Sequence, residues 1–378
     1  MLIEIKRDII EEALRKSGQR QNEPLDLLFQ MAICAKKGFH VVWVPSLVED
    51  SVLRGELENL LTRGNVSALC YAEERHRNDV GRLNREMKVR TVITYGRERL
   101  EPGKIVLNPI NDPQFQPYTE LYLLVENLID ADFYQIVLKL FRDDNGYAAY
   151  DCIVYPLMGG GVTTAKVMEN EVRLRQHYCL AIADSDKLSP QGKKGDTVTE
   201  LLKAAGLSRF NCDVCWLENV SEIENMIPRR VVRYLYPLPA GGIDIFTRDP
   251  SFFDMKCGLE LKELVDDRDC NYWRGLLPEK QADFNLRDTL KTANPVKRNF
   301  ETALNATNRM LMSGFGTNLL KRVMNADNDA IPSVLQENID ANHLLHQTRM
   351  RDLNTFQQRE WKKVGKTVFE WACGMKAT

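Results

Sequence analysis

Two acidic signals stand out for the chemistry they could do. Asp184-Ser185-Asp186 closes the apolar run Tyr178-Cys179-Leu180-Ala181-Ile182-Ala183, and Glu126 closes the earlier run Leu121-Tyr122-Leu123-Leu124-Val125. Short apolar runs of this kind suit strands of a parallel sheet buried on both faces. The C-terminal ends of such strands open onto the crevice where ligands bind in open α/β sheets. Carboxylates gathered there repel one another and cannot all stay ionised without a cation. A hard, oxygen-seeking ion, Mg²⁺ or Mn²⁺, is the natural partner. Glu126, Asp184 and Asp186 therefore predict a metal-dependent site for phosphodiester chemistry. One or two ions would activate water and steady the leaving 3′ oxygen.

Further candidates follow the strand predicted at 212–217. Glu222-Ile223-Glu224-Asn225 lies just beyond it, so Glu222 and Glu224 could complete a second metal site. The conformation of that segment decides whether both acids face the crevice, and a Glu222 that opens a helix serves as its cap. Lysines can offset phosphate charge in a transition state. Lys187 follows the Asp-x-Asp, Lys193 and Lys194 lie in a Gly-rich loop, and Lys256 lies in Phe253-Asp254-Met255-Lys256. Cys212-x-x-Cys215 falls inside a predicted strand with no second cysteine pair at zinc spacing, which favours core packing.

The elements that must position these residues form three predicted units: an N-terminal α/β domain at 1–117, a catalytic α/β domain at 118–253 and a mainly helical domain at 254–378. Within the first, residues 3–37 read as two helices split at Asn22-Glu23-Pro24. Strands are expected at 39–44, 66–72, 89–95 and 104–107, and helices at 52–61 and 79–87. This unit reads as a scaffold, sensor or partner surface. The turn-rich Pro109–Pro117 stretch reads as a linker. Strands at 121–125, 151–157, 178–183 and 212–217 then alternate with helices at 130–141, 162–173 and 197–205. The Gly159-Gly160-Gly161 turn allows the backbone a close approach to a ligand or strand. Helices are expected at 283–293, 296–312, 315–325, 331–350 and 353–374. Residues 287–378 carry 14 Lys/Arg against 9 Asp/Glu, a local basic bias that could track a phosphate backbone.

The chain has 378 residues, 44% apolar, with a net charge of −2, so any basic surface must be local. No apolar stretch is long enough to span a membrane, and the N-terminal residues do not read as a signal peptide. Nine scattered cysteines fit a reducing cytoplasm better than a disulfide framework.

In order, Val125-Glu126-Asn127-Leu128-Ile129-Asp130, Val154-Tyr155-Pro156-Leu157-Met158-Gly159-Gly160-Gly161, Asp184-Ser185-Asp186 and Glu222-Ile223-Glu224-Asn225 resemble the motifs of a Toprim domain. The last resembles the Glu-x-Glu-Asn segment of OLD-type Toprim nucleases and related anti-phage effectors. Asn127 stands where the family usually has Gly. The resemblance covers roughly residues 120 to 230 and implies a Rossmann-like parallel sheet. It also implies a metal-dependent endonuclease whose metal ligands are Glu126, Asp184, Asp186, Glu222 and Glu224. Related nucleases place a lysine beyond the last acid, which selects Lys256. The chain has no Gly-x-x-x-x-Gly-Lys-[Ser/Thr], so a separate ATPase or sensor partner is implied, with nucleic acid as substrate and a homo-oligomer possible. The competing readings are a topoisomerase-type transesterase, for which no tyrosine nucleophile can be singled out, a degenerate Toprim module that binds nucleic acid or a partner without cleavage, and a haloacid-dehalogenase-like phosphatase. Glu126, placed before the Asp-x-Asp, speaks against the phosphatase.

Overall fold

The computed structural model describes residues 1–97, 104–108, 113–174, 176–208, 211–237, 244–325 and 341–377. The architecture is mixed α/β, built on two four-stranded parallel sheets. In the first, β1 (Leu2–Ile5), β2 (Val41–Trp43), β3 (Arg90–Ile93) and β4 (Lys104–Leu107) take the order β2-β1-β3-β4. Its helices are α1 (Arg7–Arg15), α2 (Glu23–Lys37), α3 (Pro45–Glu49), α4 (Ser51–Glu58) and α5 (Arg63–Glu86).

The second sheet carries the candidate site. Its strands are β5 (Leu121–Val125), β7 (Val154–Met158), β8 (Cys179–Ala183) and β9 (Cys212–Trp216), and β6 (Asp151–Cys152) lies apart from it. The order is β7-β5-β8-β9, with every pair parallel. The chain winds outward from β5 to β7, returns past β5 to β8, and continues to β9. The winding therefore reverses between β5 and β8, which is where such sheets open their binding crevice.

The connecting helices are α6 (Leu128–Asp144), α7 (Thr164–Leu174) and α8 (Asp196–Gly206). Side chains alternate across a strand, and the alternation splits this sheet between two cores. Leu121, Leu123, Val125, Leu180 and Ile182 join the large core containing α6, while Leu124, Cys179, Ala181 and Ala183 join a smaller one with α7 and α8. Both faces are covered, which is why these strands are apolar throughout.

The remainder is mainly helical: α9 (Arg229–Leu235), α10 (Asp267–Leu276), α11 (Gln281–Ala293), α12 (Lys297–Asn305), α13 (Leu319–Asn325), α14 (Ala341–His346) and α15 (Thr355–Ala372). An antiparallel pair, β10 (Gly258–Glu260) and β11 (Met310–Ser313), interrupts it. Helix α15 lies against α6, with Trp361 edge-on to Phe133 and Phe369 stacked on Tyr147. After it, β12 (Cys373–Gly374) pairs with β6. One continuous core crosses the expected divisions at 117 and 253.

Four expected elements are different in the structure; one is the strand expected at 151–157, which is broken at Ile153 so that only Val154–Met158 joins the second sheet. Residues 2–5 form the central strand β1 rather than the start of a helix, because Leu2, Ile3 and Ile5 bury both faces of a four-residue run. The strand expected at 66–72 is the interior of α5, where Val66, Leu69, Cys70 and Glu73 are buried at helical spacing. The helix expected over 296–312 ends at Asn305, and Asn308, at φ 46°, turns the chain into β11. Of the helix expected at 331–350, residues 331–340 lie outside the described residues, as do 109–112 of the linker.

The crossing of α15 over α6 depends on a missing side chain. A Cβ on Gly365 would lie 2.5 Å from Phe141 Cβ, whereas one on Gly55, inside α4, would meet nothing within 4 Å. Helix propensity favours alanine at both positions, so packing decides the sign. Gly365→Ala is expected to destabilise the chain by about 1–3 kcal/mol. Gly55→Ala is expected to stabilise it by about 0.5–1 kcal/mol, both read by urea denaturation.

Candidate metal centre

The C-terminal end of β8 turns sharply into the crevice. Ser185 N–H and Asp186 N–H both donate to the Ser221 carbonyl, at 2.9 and 3.0 Å, and Ser185 Oγ donates to Val220 O at 2.6 Å. These bonds tie the Asp-x-Asp loop to the segment that carries Glu222 and Glu224. Asp186 is held at φ 53°, an unusual backbone state for a non-glycine residue. Gly195 stands directly against its carboxylate, where a Cβ would overlap Asp186 Oδ2.

Glu222 precedes a 3₁₀ turn, Ile223–Met226, so the two glutamates flank a bend. Asn225 anchors that bend. Its Oδ1 accepts from Glu222 N–H at 2.8 Å, and its amide donates to Pro250 O and Phe253 O at 2.7 and 2.8 Å. The asparagine of the Glu-x-Glu-Asn segment thus fixes the acids in place without being a ligand. Glu222 Oε1 accepts from Met255 N–H at 2.7 Å, which brings Lys256 into the site.

Asp184, Glu222 and Glu224 each offer one carboxylate oxygen to a group lying within 4.8 Å. The Lys256 ammonium stands 2.9 Å from Glu222 Oε2 and 3.4 Å from Glu224 Oε2. Glu222 and Glu224 are only 6% and 4% exposed. Burial pushes the Asp184 carboxyl well above its ordinary range, and Glu224 adds repulsion. Glu222 is pushed up to about 8 for the same two reasons, and burial raises Glu224. Burial works against the charge on Lys256, but Glu222, Glu224 and Asp184 together hold it ionised. Asp184 Oδ1 accepts from Ile223 N–H at 2.9 Å, whereas Glu224 Oε2 is buried without a hydrogen bond.

The remaining predicted acids occupy the same end of the sheet but stand outside that group of three. Glu126 is exposed at the end of β5. Gly159 and Gly160 donate to the Val125 and Glu126 carbonyls at 2.8 and 3.0 Å, so the glycine turn closes onto this strand end. Gly161, at φ 62°, lies beside the carboxylate, where a Cβ would be 3.5 Å from Oε1. Burial raises the Asp186 carboxyl, and Glu126 supplies the next-largest contribution. A cleft of about 550 Å³ opens at Asp186 and runs past Lys193 to Lys291 and Lys297. The three grouped acids do not line it.

Asp130 was not among the predicted site residues. It sits in the first turn of α6, accepts from Asn127 N–H at 2.9 Å, and is pushed up to about 6 by burial, with Glu224 and Glu126 adding repulsion. Its signal was the acid four residues after Glu126. Lys187 is buried and donates to Pro190 O at 2.6 Å, so it braces the loop and does not reach the crevice. Cys212 and Cys215 are free and belong to opposite faces of β9, which rules out a shared metal. No helix among the described residues is long and apolar enough to cross a membrane.

Comparison of this chain with protein-family models, curated proteins and solved structures finds no match.

The donor set fits a hard divalent ion. Oxygen ligands at roughly 2.1–2.5 Å from one ion span separations of about 3–5 Å, and Glu224 Oε2 is a buried oxygen that accepts no hydrogen bond and has only the Lys256 ammonium, 3.4 Å away, beside it. Such an ion must displace the protons that burial keeps on these acids. The pKa of Glu222 is higher in the folded chain than in the unfolded one, so its contribution to stability falls as pH rises from about 4.5 towards about 8. The thermal stabilisation by added Mn²⁺ is therefore expected to grow over that window, and to be abolished by Glu224→Gln, in differential scanning fluorimetry. Lys256→Ala removes the one cation from the group. It is expected to cost about 2 kcal/mol or more near pH 8, and much less near pH 5 where the acids take up protons, as read by urea denaturation.

Proposed function

We propose that this chain is a divalent-metal-dependent nuclease that cleaves phosphodiester bonds of nucleic acid. One observation carries the reading. Three carboxylates, two almost wholly buried, meet one ammonium beyond the C-terminal ends of the neighbouring parallel strands β8 and β9. A structural ion pair needs one carboxylate for one ammonium, and a surplus of buried acids must either hold protons or take up a further cation. The motif order that resembles a Toprim domain supports the same reading.

Asp184, Glu222 and Glu224 would hold Mg²⁺ or Mn²⁺. The bound ion supplies a positive field at a phosphoryl oxygen and an activated water. Glu222 fixes Lys256 through Met255 N–H, so the ammonium is placed before substrate arrives and offers its charge to the phosphate. Glu126 and Asp186 face the same crevice from β5 and β8. The Asp130 carboxyl, pushed up to about 6 by burial, is suited to hold or pass a proton near neutral pH. The Toprim resemblance further implies control by a separate ATPase or sensor.

Plasmid DNA, single-stranded DNA and tRNA incubated with Mg²⁺ or Mn²⁺ provide the test. Wild type is expected to cleave at least one of them, and Asp184→Asn and Glu224→Gln to lose roughly 100-fold or more of the rate. Cleavage that survives in both variants contradicts the assignment. Uncut substrate, with Mn²⁺ demonstrably bound, favours the non-cleaving module.

A further inference from the structure

Four of the 14 Lys/Arg of residues 287–378 lie on one helix. Arg359, Lys362, Lys363 and Lys366 recur at intervals of three, four and seven residues along α15, which places them on one face. The opposite face, Gln357, Glu360, Trp361 and Val364, is buried. Arg359 and Lys362 are exposed, and neither has an ion-pair partner among the described residues. Lys363 stands 3.2 Å from Glu218 and Lys366 3.8 Å from Glu370.

This stripe leads towards the cleft that opens at Asp186. Lys363 Nζ donates to the Trp216 carbonyl at 2.9 Å and lies 5.2 Å from the Trp216 ring. Lys194 lies 4.4 Å from the same ring. Trp216 ends β9, so it joins the helix stripe to the loop containing Lys193, Lys194 and Gly195. Lys193 lines the cleft that opens at Asp186, and Gly195 packs on Asp186 itself. A row of cations thus runs from α15 past the end of β9 to the acidic crevice, on a chain whose net charge is negative.

We infer that Arg359, Lys362, Lys363 and Lys194 form a track for the phosphate backbone of a nucleic acid, delivering it to the crevice. A polyanion with regularly spaced charges fits a row of cations that the protein leaves largely unneutralised. The inference rests on the nuclease reading only for what becomes of the strand once it arrives.

The test is fluorescence anisotropy of a labelled oligonucleotide with the full chain, in EDTA to prevent cleavage, over about 50 to 200 mM salt. Single-stranded and duplex DNA and RNA form the arms. Arg359→Ala/Lys362→Ala removes two exposed, unpaired cations, so folding is expected to be intact by thermal denaturation. Wild type is expected to bind with a steep salt dependence. The double variant is expected to lose roughly tenfold in affinity and about 1.4 from the magnitude of the log–log salt slope on single strands. Adding Lys194→Ala is expected to lower both further. Unchanged affinity and slope in the variants overturn the track, whether or not wild type cleaves. Equal competition by poly-glutamate also overturns it, since an acidic protein would then be the partner. Binding that depends on these cations, in a chain that never cleaves with Mn²⁺, upholds the track and removes the nuclease reading alone.

Discussion

Packing Asp184, Glu222 and Glu224 within 4.8 Å of one another, with Glu222 and Glu224 nearly out of water, is the constraint on which the rest depends. Like charges at that range in a poorly solvated site destabilise the fold unless they are protonated or offset. Lys256 offsets one of them. The backbone meets part of the remaining demand, since amides of Ile223, Met255 and Lys256 point at the acids. One ammonium shared between Glu222 and Glu224 leaves the three acids short of positive charge whenever all of them are ionised. Much of the surrounding hydrogen bonding serves to hold that deficit in place. Ser185 ties β8 to Val220, and Asn225 pins the bend to Pro250 and Phe253. Helix α15 secures the same segment through Gln357 to Asn225 O and Ile227 O, Trp361 to Met226 O, and Glu360 to Asn219.

The two parallel sheets show that topology alone does not make such a site. Both have the same strand order relative to the chain, so both open at the point where the winding reverses. In the first sheet the chain fills that opening itself: Asp8 Oδ2 accepts from Thr94 Oγ1, Tyr95 N–H and Gly96 N–H at 2.7, 2.8 and 2.8 Å. In the second sheet the opening receives acids from three segments, and they outnumber their partners. The difference lies in the side chains after each strand rather than in the backbone.

Much of the second sheet was legible because its strands are apolar on both faces and end in acid. The placing of Glu126, Asp184 and Asp186 at one rim follows directly. Their grouping did not, since Glu222 and Glu224, expected only as a second site, join Asp184 while Glu126 and Asp186 stand apart. That grouping depends on a 3₁₀ turn and on bonds from Asn225 to residues about 25 positions away, which local periodicity does not encode. The N-terminal unit was harder to read. β1 has four residues, too few to show a period, and the apolar run inside α5 satisfies strand and helix patterns alike. The return of α15 over α6 depends on Gly365, whose meaning appears only once Phe141 is beside it.

The most direct measurement is the anomalous scattering of a Mn²⁺-soaked crystal. The account predicts a peak bonded to Asp184 and Glu224 at the ends of β8 and β9, with the Lys256 ammonium moved from its place between the glutamates. A crevice without a peak at saturating Mn²⁺, with Lys256 still paired to Glu222 and Glu224, would contradict it: the acids would then be a structural ion-pair cluster and nothing more.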